Sequence, residues 1–197
     1  MHLDWNLITL ITLAYLVGSI PCGLILTRWI TGRDPRASGS GNIGATNVGR
    51  VAGKPLGVLT LALDMAKGTL PTILGLWLLE TDWHVGLVSL AAFLGHIFPL
   101  YLRFKGGKGV ATALGAFGAI SPLATGGVLA VLVLGLWLTG HMSVGSLAGW
   151  ATAPLWFWLT GFSWQLVGLT AVVASIIFWT HRENLSRLRA GREHSWR

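Results

Sequence analysis

Hydrophobic residues run along this chain in long unbroken blocks rather than in alternating or one-faced patterns. Residues 7–30, 56–79 and 85–102 are apolar blocks parted by polar connections, and residues 110–180 contain no Asp, Glu, Lys or Arg. A helix needs roughly 20 apolar residues to cross the hydrocarbon of a bilayer, so the pattern predicts an all-α integral membrane protein. The last block breaks at Ser121-Pro122, Gly140-His141 and Gly161-Phe162, where proline lacks a donor and glycine accepts turn backbone. These breaks make four segments of it and about seven transmembrane helices in all, with five as the alternative. The fourth segment, residues 110–120, is short for a full crossing and reads as a half-helix buried against its neighbours.

Charge orients the bundle. Arg28, Arg33, Arg36, Arg50 and Lys54 follow the first block, and Arg103, Lys105 and Lys108 follow the third. Arg182, Arg187, Arg189, Arg192 and Arg197 follow the last, whereas the connection after the second block holds Glu80 and Asp82 without a base. The positive-inside bias then predicts an N-terminus outside and a C-terminus in the cytoplasm, with Trp77, Trp83, Trp156, Trp158 and Trp164 near the outer interface. No Lys or Arg precedes the first block, so it is expected to be a permanent span and not a cleaved leader.

Composition agrees with a bilayer as the solvent. Hydrophobic residues make up 53% of the chain and charged ones 11%, too few to cover a soluble globule of 197 residues. The net charge of +7 sits between and after apolar blocks instead of on one face, which argues against a nucleic-acid partner. The single Cys22 excludes an internal disulfide, and the 27 glycines fit close helix packing. No internal repeat or second domain is evident, so residues 1–197 are expected to form a single domain.

Three segments carry candidate chemistry. The first reads Ser38-Gly39-Ser40-Gly41-Asn42-Ile43-Gly44-Ala45-Thr46-Asn47-Val48-Gly49-Arg50. Glycines let backbone N–H groups converge on an anion, Ser40, Asn42, Thr46 and Asn47 add neutral donors, and Arg50 offers a fork to phosphate oxygens. A flexible polar linker is the plainer reading. The second, Gly106-Gly107-Lys108-Gly109-Val110-Ala111-Thr112, delivers a lysine onto the start of a helix, a phosphate-shaped device or else a basic anchor to headgroups. In the third, His181 and Asn184 share a helix face at the end of the last block, beside the charged face of a surface helix. Asp64 and Lys67, three apart inside the second block, form either a structural ion pair or part of a site. His96 reads as a bundle-facing histidine, and Ser143 and Ser146 fall in the charge-free fifth connection. The chain has no Cys/His cluster with metal spacing, no Gly-x-Ser-x-Gly elbow and no His with Asp five residues on, so no metal or cofactor is expected.

These motifs, in this order, resemble the bacterial acyl-phosphate:glycerol-3-phosphate acyltransferases, the PlsY family. The resemblance rests on residues 39–47, 106–112 and 181–188, with Asp64-Met65-Ala66-Lys67-Gly68 as a weaker fourth, and covers essentially the whole chain. It implies a monomeric multi-pass enzyme of the bacterial inner membrane with its active site at the cytoplasmic face. Such an enzyme moves a fatty acyl group from acyl phosphate to the 1-hydroxyl of glycerol 3-phosphate, giving lysophosphatidic acid and inorganic phosphate as the first acylation of phospholipid synthesis. Carried over by motif, Ser40, Arg50, Lys108, His181 and Asn184 are the expected catalytic residues. Gly39, Gly41, Asn42, Gly44, Thr46, Asn47, Gly106, Gly107 and Ser146 are expected to bind substrate phosphate, with Asp64 and Lys67 as a supporting pair. The fifth connection is less basic than the family pattern, which makes Ser146 the departure. A small-anion transporter and a lipid-phosphate phosphatase are the competing classes. The first wants ionisable groups along a path through the membrane, and the second a Pro-Ser-Gly-His segment; neither is present in the second half.

Overall fold

The computed structural model describes residues 5–196 and contains only helices and connections among them. The first apolar block forms two helices, α1 (Trp5–Gly18) and α2 (Cys22–Thr31), because Pro21 cannot donate and the chain steps aside at Ile20. α2 ends on Gly32, whose φ of 67° supplies the left-handed cap that L side chains resist. A short 3-10 turn, Pro35–Ala37, leads through a loop into α3 (Ala45–Ala52), a helix inside the glycine-rich segment that reads as a loop in the sequence. Next come α4 (Lys54–Leu78), α5 (Asp82–Ile97) and α6 (Val110–Ile120). Thr81 caps α5 by accepting from the His84 amide.

The remainder comprises α7 (Pro122–Thr139), α8 (Met142–Ala151), α9 (Ala153–Leu159), α10 (Trp164–Thr180) and α11 (Arg182–Arg189). Ser121 caps α7 with Pro122 at its first position, and Gly140 ends it with φ of 73°. Ser163 caps α10 in the same way. The expected sixth segment is two short helices broken at Thr152, just before Pro154.

Three helical stretches are long and apolar enough to cross a membrane: Trp5–Thr31, Asp82–Leu102 and Pro122–Thr139. A fourth counts if Trp164–Thr180 and Arg182–Arg189, bent by 56°, are one span. The 25 residues of α4 are long enough, but Asp64 and Lys67 lower their hydropathy. The 11 residues of α6 rise roughly 16 Å, about half the hydrocarbon thickness.

The described chain divides into two compact units, one ending at Ala119 and one beginning at Ile120. In the first, small residues let helices touch backbone to backbone. A β-carbon on Gly18 would lie 2.1 Å from the Ala92 carbonyl oxygen, and one on Gly95 would lie 2.3 Å from that of Tyr15, so α1 and α5 cross with no room for a side chain. Tyr15 Oη also donates to the Phe98 carbonyl. Gly68 and Gly115 seat α4 on α6 in the same manner, and Thr72 of α4 bonds Ser89 of α5 at 2.9 Å. In the second unit Gly145 and Gly149 bring α8 onto the backbone of α7. Gly127 of α7 lies under the Trp156 indole, so that ring packs on a helix of its own unit.

Candidate active site

The glycine-rich segment is shaped from within. Gly39 and Gly41 adopt positive φ of 64° and 69°, turning the chain so that its amides and carbonyls face inward around one side chain, Asn47. Asn47 is buried in the first turn of α3. Its Oδ1 accepts from the Ser40 amide at 2.8 Å, and its Nδ2 donates to the carbonyls of Pro35, Ser38 and Asn42. Asn47 is therefore the staple of the loop, its amide already committed to protein, and a β-carbon at Gly39 would strike its Oδ1. Asn42 Oδ1 accepts from the Gly44 amide, and Gly44 caps α3. The half-buried Ser40 and the opening turn of α3, with Thr46, stand at this loop, while the exposed Arg50 lies one helical turn further on. Nearby, Asp34 accepts from Arg36 and Arg28 at 2.8 and 2.6 Å. The guanidinium of Arg36 holds the Asp34 carboxyl far below the usual carboxylate range against the opposing effect of burial, with the Arg36 amide and Arg28 adding to it.

The Lys108 turn is built against the end of α5. The Gly106 amide donates to the Ile97 carbonyl and the Gly107 amide to that of His96. Those two amides thus fix the turn, and it is Lys108 and the first turn of α6 that face onward. Gly109, with φ of 83°, packs on the Phe93 ring. Deeper in the same unit Asp64 and Lys67 are buried and paired at 2.9 Å, as their spacing predicts.

In the second unit His181, at the bend into α11, and Asn184, in the first turn of α11, are both buried. His181 Nδ1 lies 2.8 Å from the Ile177 carbonyl oxygen. A carbonyl only accepts, so Nδ1 carries a proton and donates it to Ile177, which leaves Nε2 as the second polar atom of the ring. Asn184 Nδ2 donates to Glu193, a residue the sequence does not single out. Ser143 Oγ donates to the same carboxylate oxygen at 2.9 Å and Arg187 Nε to the other at 2.8 Å. Burial opposes ionisation there, but the hydrogen bonds from Asn184, Arg187 and Ser143 outweigh it and hold the Glu193 carboxyl below its ordinary value. Gly191, at φ of 65°, turns the chain back after α11, and the Trp196 amide reaches the Gly140 carbonyl at 2.7 Å. Ser146 faces elsewhere, its hydroxyl donating to the Met142 carbonyl of its own helix. The one hint in the sequence was a lone acid after a glycine in an arginine-rich tail.

The family model "Glycerol-3-phosphate acyltransferase" matches residues 8–191. The chain belongs to the glycerol-3-phosphate acyltransferase family. Among relatives in that family, the glycerol-3-phosphate acyltransferase of Syntrophotalea carbinolica is 48% identical over 185 residues, covering 93% of this chain and 94% of the relative. That of Geobacter sulfurreducens is 47% identical over 192 residues, 98% of each chain. The fold is that of PlsY (YgiH), an integral membrane glycerol 3-phosphate acyltransferase, whose crystal structure in its glycerol 3-phosphate form superposes with a TM-score of 0.93 at 37% identity, over 96% of this chain and 95% of that one. The lysophosphatidic acid form of that protein gives 0.88 at 35% identity over the same shares of both chains. Within the family match fall Ser40, Arg50, Lys108, His181 and Asn184, while Glu193 lies just beyond it.

Proposed function

We propose that this chain acylates the 1-hydroxyl of glycerol 3-phosphate, taking the acyl group from a fatty acyl phosphate. It acts as a monomer, as one enzyme of residues 1–197, in the bacterial cytoplasmic membrane. It has about seven transmembrane segments, an external N-terminus, and catalysis at the cytoplasmic face. The observation that carries the reading is family membership over nearly the whole chain, with all three phosphate-directed motifs in place. The donor is the one the family resemblance implies, and the absence of a His with Asp five residues on supports it, because the phosphate leaving an acyl phosphate can itself take the proton.

In the proposed step the glycerol 3-phosphate hydroxyl attacks the acyl carbonyl carbon, the bond from that carbon to the phosphate oxygen breaks, and the departing phosphate takes the hydroxyl proton. Negative charge moves onto the leaving phosphate, and fixed cationic donors that meet it there lower the barrier. Arg50 and Lys108 supply such cations, Ser40 and Thr46 neutral donors, and His181 and Asn184 donors at the end of the last span. Asn47, Gly106 and Gly107 serve this chemistry by shaping the turns that present those groups.

The purified chain, supplied with palmitoyl phosphate and glycerol 3-phosphate, is expected to form lysophosphatidic acid and inorganic phosphate one for one. Turnover with acyl thioesters and none with acyl phosphate overturns the donor. Anion flux without acylation would return the transporter reading.

A further inference from the structure

We propose that His96 is a positioning residue for Lys108, its ring set by the buried pair Asp64 and Lys67. The proposal deepens the acyltransferase reading and rests on it. Asp64, Lys67 and His96 are each no more than 5% exposed, in the midst of apolar helices of the first unit. Burying three ionisable groups together is costly unless their geometry is put to use.

Their contacts run in one line. Lys67 Nζ donates to the Ile20 carbonyl at 2.8 Å, at the interruption between α1 and α2. It also pairs with Asp64 Oδ1 at 2.9 Å, and the same oxygen lies 3.6 Å from His96 Nδ1. The other side of the His96 ring presses on the turn ahead of α6, where a β-carbon on Gly107 would lie 2.0 Å from Nε2. The His96 carbonyl meanwhile accepts from the Gly107 amide, so ring and backbone of one residue grip the residue before Lys108 from two directions.

An ion pair needed only for stability would be complete with Asp64 and Lys67. What it would not require is a third buried polar ring wedged between a carboxylate and a glycine. Gly107 has to be glycine because the ring occupies the space of a side chain, and on its other side the ring turns Nδ1 toward Asp64 Oδ1 at 3.6 Å, an electrostatic contact longer than a hydrogen bond. The lateral position of Lys108 is therefore read from the His96 ring.

The test uses the full chain in detergent, with lysophosphatidic acid formation measured against each substrate in turn and normalised to folded protein. Gly107→Ala, His96→Ala and Asp64→Asn are each expected to raise KM for one phosphate-bearing substrate by about tenfold or more, in keeping with the losses that sub-ångström to 1 Å misplacement causes. Their melting temperatures are expected not to rank with that loss. His96→Asn keeps a polar atom toward Asp64 but shortens the ring side, so adding it to Gly107→Ala is expected to recover most of the KM lost by Gly107→Ala alone. Should His96→Ala not fold, the comparison of Gly107→Ala with the double variant decides. Unchanged KM values in folded single variants, or a double variant no better than Gly107→Ala, overturns the proposal. A wild-type chain that forms no lysophosphatidic acid instead removes the acyltransferase reading beneath it.

Discussion

Replacing Glu193 with alanine tests how the last helix is tied down. The carboxylate accepts three hydrogen bonds, one from the Arg187 guanidinium and two from the neutral Asn184 and Ser143. All three go to an ionised group, and a buried bond of that kind contributes about 1.5–3 kcal/mol, less where solvent reaches it. Discounting for the partial exposure of Arg187 and for the freedom the tail regains, a loss of about 3 kcal/mol is expected, or some two factors of ten in the docking of residues 190–196. Trypsin reads this directly, because Arg192 lies in the segment that would be released and Arg189 immediately before it. Cleavage there in detergent is expected to accelerate by about a hundredfold in Glu193→Ala when opening and closing are fast relative to the cut, and acyltransfer is expected to fall as Asn184 loses its anchor. The sign with pH follows from a carboxyl held below its ordinary value: the contribution is complete above the ordinary glutamate value and fades as pH falls through the depressed one. Docking is thus expected to be flat from pH 8 to about pH 5 and to weaken only in stronger acid. Equal cleavage rates for wild type and Glu193→Ala, both folded by tryptophan fluorescence, would refute the reasoning.

Arg50→Ala and Lys108→Ala are each expected to lower kcat by about a hundredfold or more, the scale of one lost transition-state donor, in a phosphate-release assay with palmitoyl phosphate. Near-normal turnover by both would sink the proposed chemistry. Asn47→Ala is expected to leave the Ser40 amide and the carbonyls of Pro35 and Asn42 without their partner, at about 1–3 kcal/mol for each group that water does not reach, while the Ser38 carbonyl keeps the Gly41 amide. A lower melting temperature together with a raised KM for glycerol 3-phosphate is the expected result, and a change in neither would mean that the loop is held otherwise. Gly115→Val would drive a β-carbon to within 2.1 Å of the Met65 carbonyl and is expected to abolish folded yield, whereas Gly126→Ala, which meets nothing within 4 Å, should be silent; size-exclusion profiles in detergent distinguish the two.

Much of the helix layout was legible because its punctuation is local. Ser121-Pro122 and Gly140 mark the ends of α7, and the short apolar run 110–120 is the short helix α6. The interruption at Ile20 was masked because the run around Pro21 is apolar on both sides, and hydropathy does not register a missing donor. α3 was hidden for the opposite reason, as a glycine-rich composition reads as loop even where Asn47 gathers the loop around a helix. The candidate site was legible at the level of residue types. Serine, asparagine, lysine and arginine among glycines announce anion chemistry, but a sequence does not say whether an amide faces a ligand or its own backbone. Asn47 and Ser146 turn to the backbone. Glu193 went unseen because its meaning depends on a fold-back that only Gly191 hints at.

The Asp64 and Lys67 pair has a consequence for how the protein is made. Both charges belong to one turn of one helix, so α4 carries its own counterion wherever it goes. As one of the proposed transmembrane segments, it can enter the membrane as a neutral unit without waiting for a partner segment to be synthesised. His96, by contrast, is translated later and meets the pair only once α5 has arrived. The acid and base most exposed to rejection during insertion are thus joined at birth, and the contact that completes the triad is left to the assembled bundle.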